Sequence, residues 1–172
     1  MLTLPTEHLS YSQLDLWNTD KGEYWNRYFR GIKPPPNIWT DFGSRFANAM
    51  EAVHETGELP QDAPERIDQV LSSLSVLDQA EYKATLDTDL YSLIGYFDTS
   101  NRTLDLVIDY KTGGKPWDQE RAESHKQLHL YALMVKEQHG VIPNVGIEWA
   151  ETTTDLKANL VQLTGRVEKF YY

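Results

Sequence analysis

The chain has no cysteine among its 172 residues. That absence excludes disulfides, thiolate-held zinc, iron–sulfur clusters and cysteine nucleophiles together, so any metal must bind oxygen or imidazole. No run approaches the roughly 20 apolar residues that span a bilayer. The opening MLTLPTEHLSYSQ also lacks the basic-then-apolar order of a secretory signal, and a soluble, cytoplasmic protein with no membrane partner is expected. There is no G-x-x-x-x-G-K-[ST] loop to bind a nucleoside triphosphate. Basic residues are scarce, 16 against 26 acidic, for a net charge of −10. This is the wrong sign for holding nucleic acid by phosphate neutralisation alone. The distribution is uneven, however: residues 51–89 carry ten acids and two bases, whereas residues 21–33 carry Lys21, Arg27, Arg30 and Lys33 against Glu23. A bound divalent cation reverses the local sign of a carboxylate cluster, so acidity does not exclude a polyanionic substrate.

What is present is enough to fold. Hydrophobic residues make up 40% and aromatics 12%, and the length suits one domain over residues 1–172. Its expected parts are a helical stretch at 9–75, a core at 79–138 and C-terminal strands at 144–172. Ser10 and Ser12 are candidate caps for a first helix with Leu14, Trp17, Tyr24, Trp25, Tyr28 and Phe29 on an apolar face interrupted at Gly22. Gly31 and Pro34-Pro35-Pro36 stop it. From Asp41 to Glu55, Phe42, Phe46, Ala49, Met50 and Val53 recur at helical spacing, predicting a second helix that carries Glu51 and ends near Gly57. A third short helix is expected around Arg66–Leu74. Strands follow at Glu81–Asp87, Tyr91–Asp98 and Thr103–Lys111, the last two joined as a hairpin by Ser100-Asn101. A helix over Trp117–Gln138 and strands at Val145–Thr152, Ala158–Leu163 and Val167–Tyr172 complete the order. The fold class is α/β or α+β.

The chemistry gathers in the hairpin. Alternation along Leu104–Lys111 puts Val107, Asp109 and Lys111 on one face of their strand and Leu106, Ile108 and Tyr110 on the other. Asp98 ends the preceding strand, and the hairpin can fold it back beside Asp109, so that two carboxylates reach one cation. Magnesium suits such a site because it takes few protein carboxylates and completes its shell with water and substrate phosphate oxygens. Lys111 beside the pair can orient an attacking water and offset charge on a phosphorane-like transition state. An exposed ion pair of Asp109 with Lys111 is the plainer alternative, since D-x-K is a short signal. In the helix that follows, Gln127 and Tyr131 share one face, with His125 two residues earlier. An amide and a hydroxyl there can bond phosphate oxygens. Core packing for Tyr131 and a strand-to-helix tie for Gln127 are the ordinary readings of each alone.

Taken together, G-Y-F-D at 95–98, V-I-D-Y-K-T-G at 107–113 and H-x-Q-L-x-x-Y at 125–131 resemble the RecB-type branch of the PD-(D/E)XK nuclease superfamily. Leu9–Leu14, with the aromatic and basic helix after it, and Phe42-Gly43-Ser44 before Glu51 extend the likeness over residues 9–131. K-T-G-x-x-x-W from Lys111 to Trp117 and the strand Ile147–Thr152 are similar to small members encoded by phages and prophages. The resemblance implies an α/β restriction-endonuclease-like core, a central mixed β-sheet flanked by α-helices, and DNA cleavage dependent on Mg2+ or Mn2+. It implies Asp98, Asp109 and the Tyr110 backbone carbonyl as metal ligands, Lys111 as the catalytic lysine, and Glu51 joining the site through water. Gln127, Tyr131 and His125 would be substrate contacts. Apart from the resemblance, the basic, aromatic segment 21–33, with Arg27 and Arg30, is a candidate for contacting the DNA backbone or stacking an unpaired end, and an ordinary helix with core aromatics and solvated bases is the alternative. The implied activity is exonucleolytic, on linear ends or single strands, in recombination, replication or repair, alongside a recombination or replication protein.

One departure matters. The branch commonly has a metal-binding histidine four residues after the first-motif glycine, and Gly43 plus four is Ala47 here. His54, three residues beyond Glu51, is a weak substitute. A non-catalytic DNA-binding or inhibitory module derived from the same fold is therefore the rival reading. Retention of Asp98, Asp109 and Lys111 favours the enzyme, since a binding module has no need of converging acids beside a phosphate chain. A sugar hydrolase would need a separated acid and base that D-x-K does not provide.

Overall fold

A computed structural model describes residues 6–172. The first five residues of the stretch read for a secretory signal lie outside the described residues. The chain runs β1 (His8–Ser10), α1 (Tyr11–Thr19), α2 (Lys21–Tyr28), α3 (Ile38–Thr56), α4 (Asp68–Leu71), β2 (Gln79–Asp87) and β3 (Ser92–Ser100). It continues through β4 (Leu106–Gly113), α5 (Gln119–Glu123), α6 (Lys126–His139), β5 (Asn144–Asp155) and β6 (Leu160–Tyr171). One mixed sheet takes the order β1-β3-β4-β5-β6, with β2 also on β3. β4 and β5 are parallel, joined by α5 and α6 as the crossover such a pair requires. Among the described residues no helix is long and apolar enough to cross a membrane.

Helices cover both faces. On one, Leu128, Tyr131, Met134 and Val135 of α6 bury against Phe97, Val107, Ile147 and Trp149. On the other, Phe42, Phe46, Ala49 and Met50 of α3 bury with Val70 of α4 against Ala150, Val161 and Leu163. Burial of each such side chain is worth about 1.5–3 kcal/mol, so these two contacts fix the helices on the sheet. α3 starts where Asn37 Oδ1 accepts from Trp39 N at 3.0 Å and Thr40 N at 2.9 Å, and it ends at Gly57, whose φ of 75° a side chain would resist. That phase carries Glu51, one residue past the buried stripe, toward the sheet.

Strand β3 shapes the site. β2 pairs with it from Gln79↔Ser100 to Asp87↔Ser92 and occupies one edge. The other edge is shared: β1 takes Ser92–Ile94 in parallel, and β4 takes only Thr99 and Ser100. Residues 95–98 are left without a strand on that side. The expected hairpin is therefore present but pairs at only two positions, because the Asp98 carboxylate accepts the Tyr110 N–H at 2.6 Å and holds the strands apart.

The sequence reading needs several corrections. The first helix divides at Asp20 and not at Gly22, because the Asp20 carboxylate accepts from Glu23 N at 2.9 Å and starts α2. Its aromatic face is not core: Tyr24 is buried, while Leu14, Trp17, Trp25 and Phe29 are exposed. The third helix is only four residues long. Trp117–Gln138 is two helices separated at Ser124 and His125, and His125 is the residue from which α6 starts. The last two expected strands are one, β6, which passes through Gly165 at a φ of 93° opposite an irregularity between Ala150 and Thr152. Residues 8–10 form β1 before the Ser10 cap.

Gly95 lies in the gap, beneath α6. A Cβ there would stand 2.8 Å from Tyr131 Cε1 and 3.2 Å from Met134 Sδ. Gly95→Ala should lower stability by about 1–3 kcal/mol, seen as a lower urea midpoint at unchanged slope. A variant with the wild-type midpoint would show that the Tyr131 ring moves aside freely.

Candidate active site

The gap beside β3 opens into a cleft of about 200 Å³. Its walls include Gly43, Ala47 and Glu51 of α3, Glu81 of β2, Asp98 of β3, and Tyr110 and Lys111 of β4. Asp109 lies behind Lys111 and is only 1% exposed. Alternation on β4 separates the roles: Tyr110 turns to the α3 side, where its ring meets Phe46, while Asp109 and Lys111 turn toward α6. A strand residue directs its N–H and C=O to the same edge, so the Tyr110 carbonyl faces the gap with the N–H that Asp98 accepts.

Lys111 is held from two directions. Its ammonium pairs with Asp109 Oδ2 and donates to Gln127 Oε1 at 3.1 Å. Gln127 Nε2 donates to Tyr131 Oη at 2.6 Å, and the Tyr131 hydroxyl donates to the Tyr96 carbonyl at 2.7 Å, in the unpaired stretch of β3. The polar atoms of Gln127 and Tyr131 thus support the lysine and the open strand edge, and they do not face the cleft. His125 Nε2 stands 3.3 Å from the same Gln127 oxygen, with its ring between those of Tyr11 and Trp117 at 5.8 and 5.3 Å. Arg27 lies on α2 and Arg30 just past its Phe29 cap, and neither lines the cleft; Arg27 pairs with Glu23 and Arg30 with Asn26. His54 is spent on the Leu77 carbonyl at 2.8 Å.

Sequence reasoning missed Glu81. Ala80 pairs with Thr99 and Tyr82 with Phe97, so the register sets Glu81 opposite Asp98. Like charges directly opposite one another are destabilising. Glu81 also adopts a φ of 47°, a left-handed conformation that costs a non-glycine residue of order 1–3 kcal/mol and collects at functional sites. A signal existed: an acid at the start of the expected strand Glu81–Asp87, the next strand in sequence before the one bearing Asp98.

The electrostatics follow from this crowding. Burial, then the charge of Asp109, pushes the Asp98 carboxyl up to about 8, against the opposing pull of Lys111 and the Tyr110 N–H. Burial raises Glu81 as well, followed by the charges of Glu51 and Asp109. For Lys111 burial is the largest single influence and acts downward, but Asp109 and Asp98 together outweigh it and hold the ammonium above the usual lysine value. His125 is lowered by burial and by Lys111.

These donors fit a hard cation. They are all oxygens: Asp98, Asp109, Glu81, Glu51 and the Tyr110 carbonyl. Asp109 Oδ2 is buried in contact with the Lys111 ammonium, yet it receives no hydrogen bond of proper geometry. It keeps accepting capacity that water cannot fill. Among the described residues no three His, Cys, Asp or Glu side chains are already drawn to metal-binding spacing. Asp109 leans to Lys111 and Asp98 to Tyr110, and a magnesium-like ion needs only one or two carboxylates with water for the remainder.

The model of the PD-(D/E)XK nuclease superfamily matches residues 80–167, just over half of the chain, and the chain belongs to that superfamily. The matched span contains Glu81, Asp98, Asp109, Lys111, Gln127 and Tyr131, but not Glu51. Among solved structures, the crystal structure of the "Putative exonuclease" from Eubacterium rectale is similar, with a TM-score of 0.59 at 13% identity. The match covers 95% of this chain and 72% of that one, and it shows the shared restriction-endonuclease-like α/β fold. No curated protein matches the sequence significantly.

The Asp98 carboxyl gives a pH prediction for the metal-free protein. The folded chain keeps the proton up to about pH 8, whereas the unfolded chain loses it near 3.9. The folded state therefore binds the extra proton between those values, and stability falls as pH rises through that window. In chelator, Asp98→Asn should raise the thermal midpoint more at pH 8 than at pH 5. An equal effect at both pH values would contradict the protonated carboxyl.

Proposed function

We propose that this chain is a divalent-cation-dependent deoxyribonuclease, a RecB-type, phage-like member of its superfamily that hydrolyses phosphodiester bonds from strand ends. The observation that carries this reading is the junction of Asp98, Asp109 and Lys111 at an interrupted sheet edge, with Glu81 and Glu51 across the cleft. End-directed cutting rests on the RecB-type motifs, the mode to which the name of the Eubacterium rectale protein also points. Work in recombination, replication or repair rests on the same motifs.

Magnesium or manganese, when bound, supplies Lewis-acid stabilisation of the phosphate and lowers the pKa of water. Asp98, Asp109 and the Tyr110 carbonyl are the residues that would hold it, with Glu81 and Glu51 within the same cleft. In the metal-free protein Asp109 and Asp98 hold Lys111 above the usual lysine value, which suits it to act as a donor and a positive charge. Its task is to orient the attacking water and to balance charge gathering on the phosphate oxygens. Gln127 keeps the ammonium at its post, and Tyr131 keeps Gln127. Ala47 on the cleft wall, where the RecB pattern has a histidine, is the one feature that favours the rival binding module.

End-labelled linear and covalently closed circular duplex DNA, incubated with Mg2+ or Mn2+ and then with chelator, tests the reading. Metal-dependent digestion of the linear form alone is expected. Asp109→Asn and Lys111→Ala should each reduce the rate by on the order of 10²–10³-fold or more while leaving the circular dichroism spectrum intact. Gln127→Ala should reduce kcat by about 10–100-fold with KM nearly unchanged, as for groups that orient a reacting centre. Digestion by Asp109→Asn at the wild-type rate would place the chemistry elsewhere. DNA binding without digestion by the wild type would favour the binding module.

A further inference from the structure

The aromatic surface that the core does not use gathers on α2 and its flanks. Trp25 and Phe29 stack face to face, with ring centroids 4.2 Å apart and planes inclined by 15°. They nevertheless remain 53% and 45% exposed. A pair already stacked and half in water presents a further flat π-face, the kind of surface on which a base can stack. On the preceding helix Trp17, also exposed, packs edge-on against Tyr24 at 5.2 Å.

Charge around this face identifies the occupant. Residues 21–33 carry four bases and one acid in a chain of net charge −10. The acids Asp15 and Asp20 lie toward the other end, and Asp20 is committed to capping α2. At the C-terminal end of α2, Arg27 and Lys33 line a groove with Pro34–Pro36. Arg27 Nη2 pairs with Glu23, but its Nε is buried with no hydrogen-bond partner. A stiff basic groove on the same short segment as an exposed aromatic stack suits a phosphate chain carrying unpaired bases. A neutral apolar protein face would gain nothing from those charges.

The arm also leads to the cleft from both ends. α1 begins with Tyr11, whose ring meets that of His125 beside the Gln127 that holds Lys111. The linker after α2 runs into α3, whose Gly43, Ala47 and Glu51 form one wall of the cleft. α1 has nine residues, about 13 Å of helix between Tyr11 and the start of α2.

We propose that α2 and the linker behind it hold an unpaired segment of the DNA strand being cut, with bases on the Trp25–Phe29 stack and phosphates at Arg27, Arg30 and Lys33. This rests on the nuclease reading for what happens at the cleft, and its test does not. Fluorescence anisotropy of labelled oligothymidylate with the full chain in chelator reads binding without cleavage. Trp25→Ala and Phe29→Ala should each weaken binding about tenfold. Arg30→Ala with Lys33→Ala should lower the slope of log K against log salt by about 1.4. Ile142→Ala, an exposed apolar residue of another region, should bind as the wild type does.

Binding of both aromatic variants within twofold of wild type, or no binding by the wild type, overturns the proposal. So does a self-associated form that Trp25→Ala dissolves without changing affinity for DNA, which would assign the face to a second copy of the chain. A cleft that fails to hydrolyse DNA would leave arm-dependent binding intact. Loss of arm dependence would leave hydrolysis intact.

Discussion

The bond from the Tyr110 N–H to the Asp98 carboxylate governs the rest of the structure. In a continuous ladder that N–H would go to a backbone carbonyl of β3. Here a side chain takes it at 2.6 Å, so the strands pair at Thr99 and Ser100 and then part. The parting creates the cleft, and it leaves backbone groups that the fold must satisfy by other means. The Tyr131 hydroxyl does this for Tyr96, and β1 closes the edge again from Ile94 to Ser92. The sheet is interrupted for a few residues and repaired on either side.

Into this opening the fold brings more negative charge than is comfortable. Asp98, Asp109, Glu81 and Glu51 come from four elements with a single ammonium among them. Burial first, and the charge of Asp109 second, raises the Asp98 carboxyl, and Glu81 opposite it holds a left-handed backbone. A buried unbalanced charge is strongly destabilising, and arrangements that tolerate it cluster where charge is to be bound or moved. Lys111 is held through Gln127 and Tyr131 to the open strand edge, so the cation and the gap that needs it are parts of one hydrogen-bonded chain. A second buried charge shows the contrast. Glu148, on the neighbouring strand, receives the Ser75 N–H at 2.7 Å and Lys169 at 3.0 Å, with the Tyr171 hydroxyl besides. Its lone pairs are used, and it ties the segment before β2 to β5 and β6.

Much of this was legible in the sequence because it depends on local rules. Period two placed Asp109 and Lys111 on one face, the Ser100-Asn101 turn returned Asp98 to them, and the helical stripe from Phe42 to Met50 set the phase of Glu51. What escaped depends on tertiary choices. Glu81 meets Asp98 only through the register of β2 on β3, which the loop between them sets and which no spacing in either strand reveals. The helix over Trp117–Gln138 breaks at His125 although its residues suit a continuous helix, and α6 restarts there with Gln127 within reach of Lys111. Trp25 and Phe29 have the spacing of a buried stripe, and spacing cannot tell a core face from one left in water.

The central claim is that the Asp98–Asp109 junction is built to hold one divalent cation beside Lys111. Crystals of the protein grown with Mn2+, with diffraction recorded at the manganese absorption edge, test it directly. The account predicts one anomalous peak about 2.0–2.6 Å from carboxylate oxygens of both Asp98 and Asp109, with the Lys111 ammonium drawn off Asp109. A saturating Mn2+ soak that leaves this junction without a peak, with the Asp109–Lys111 pair intact, would contradict it.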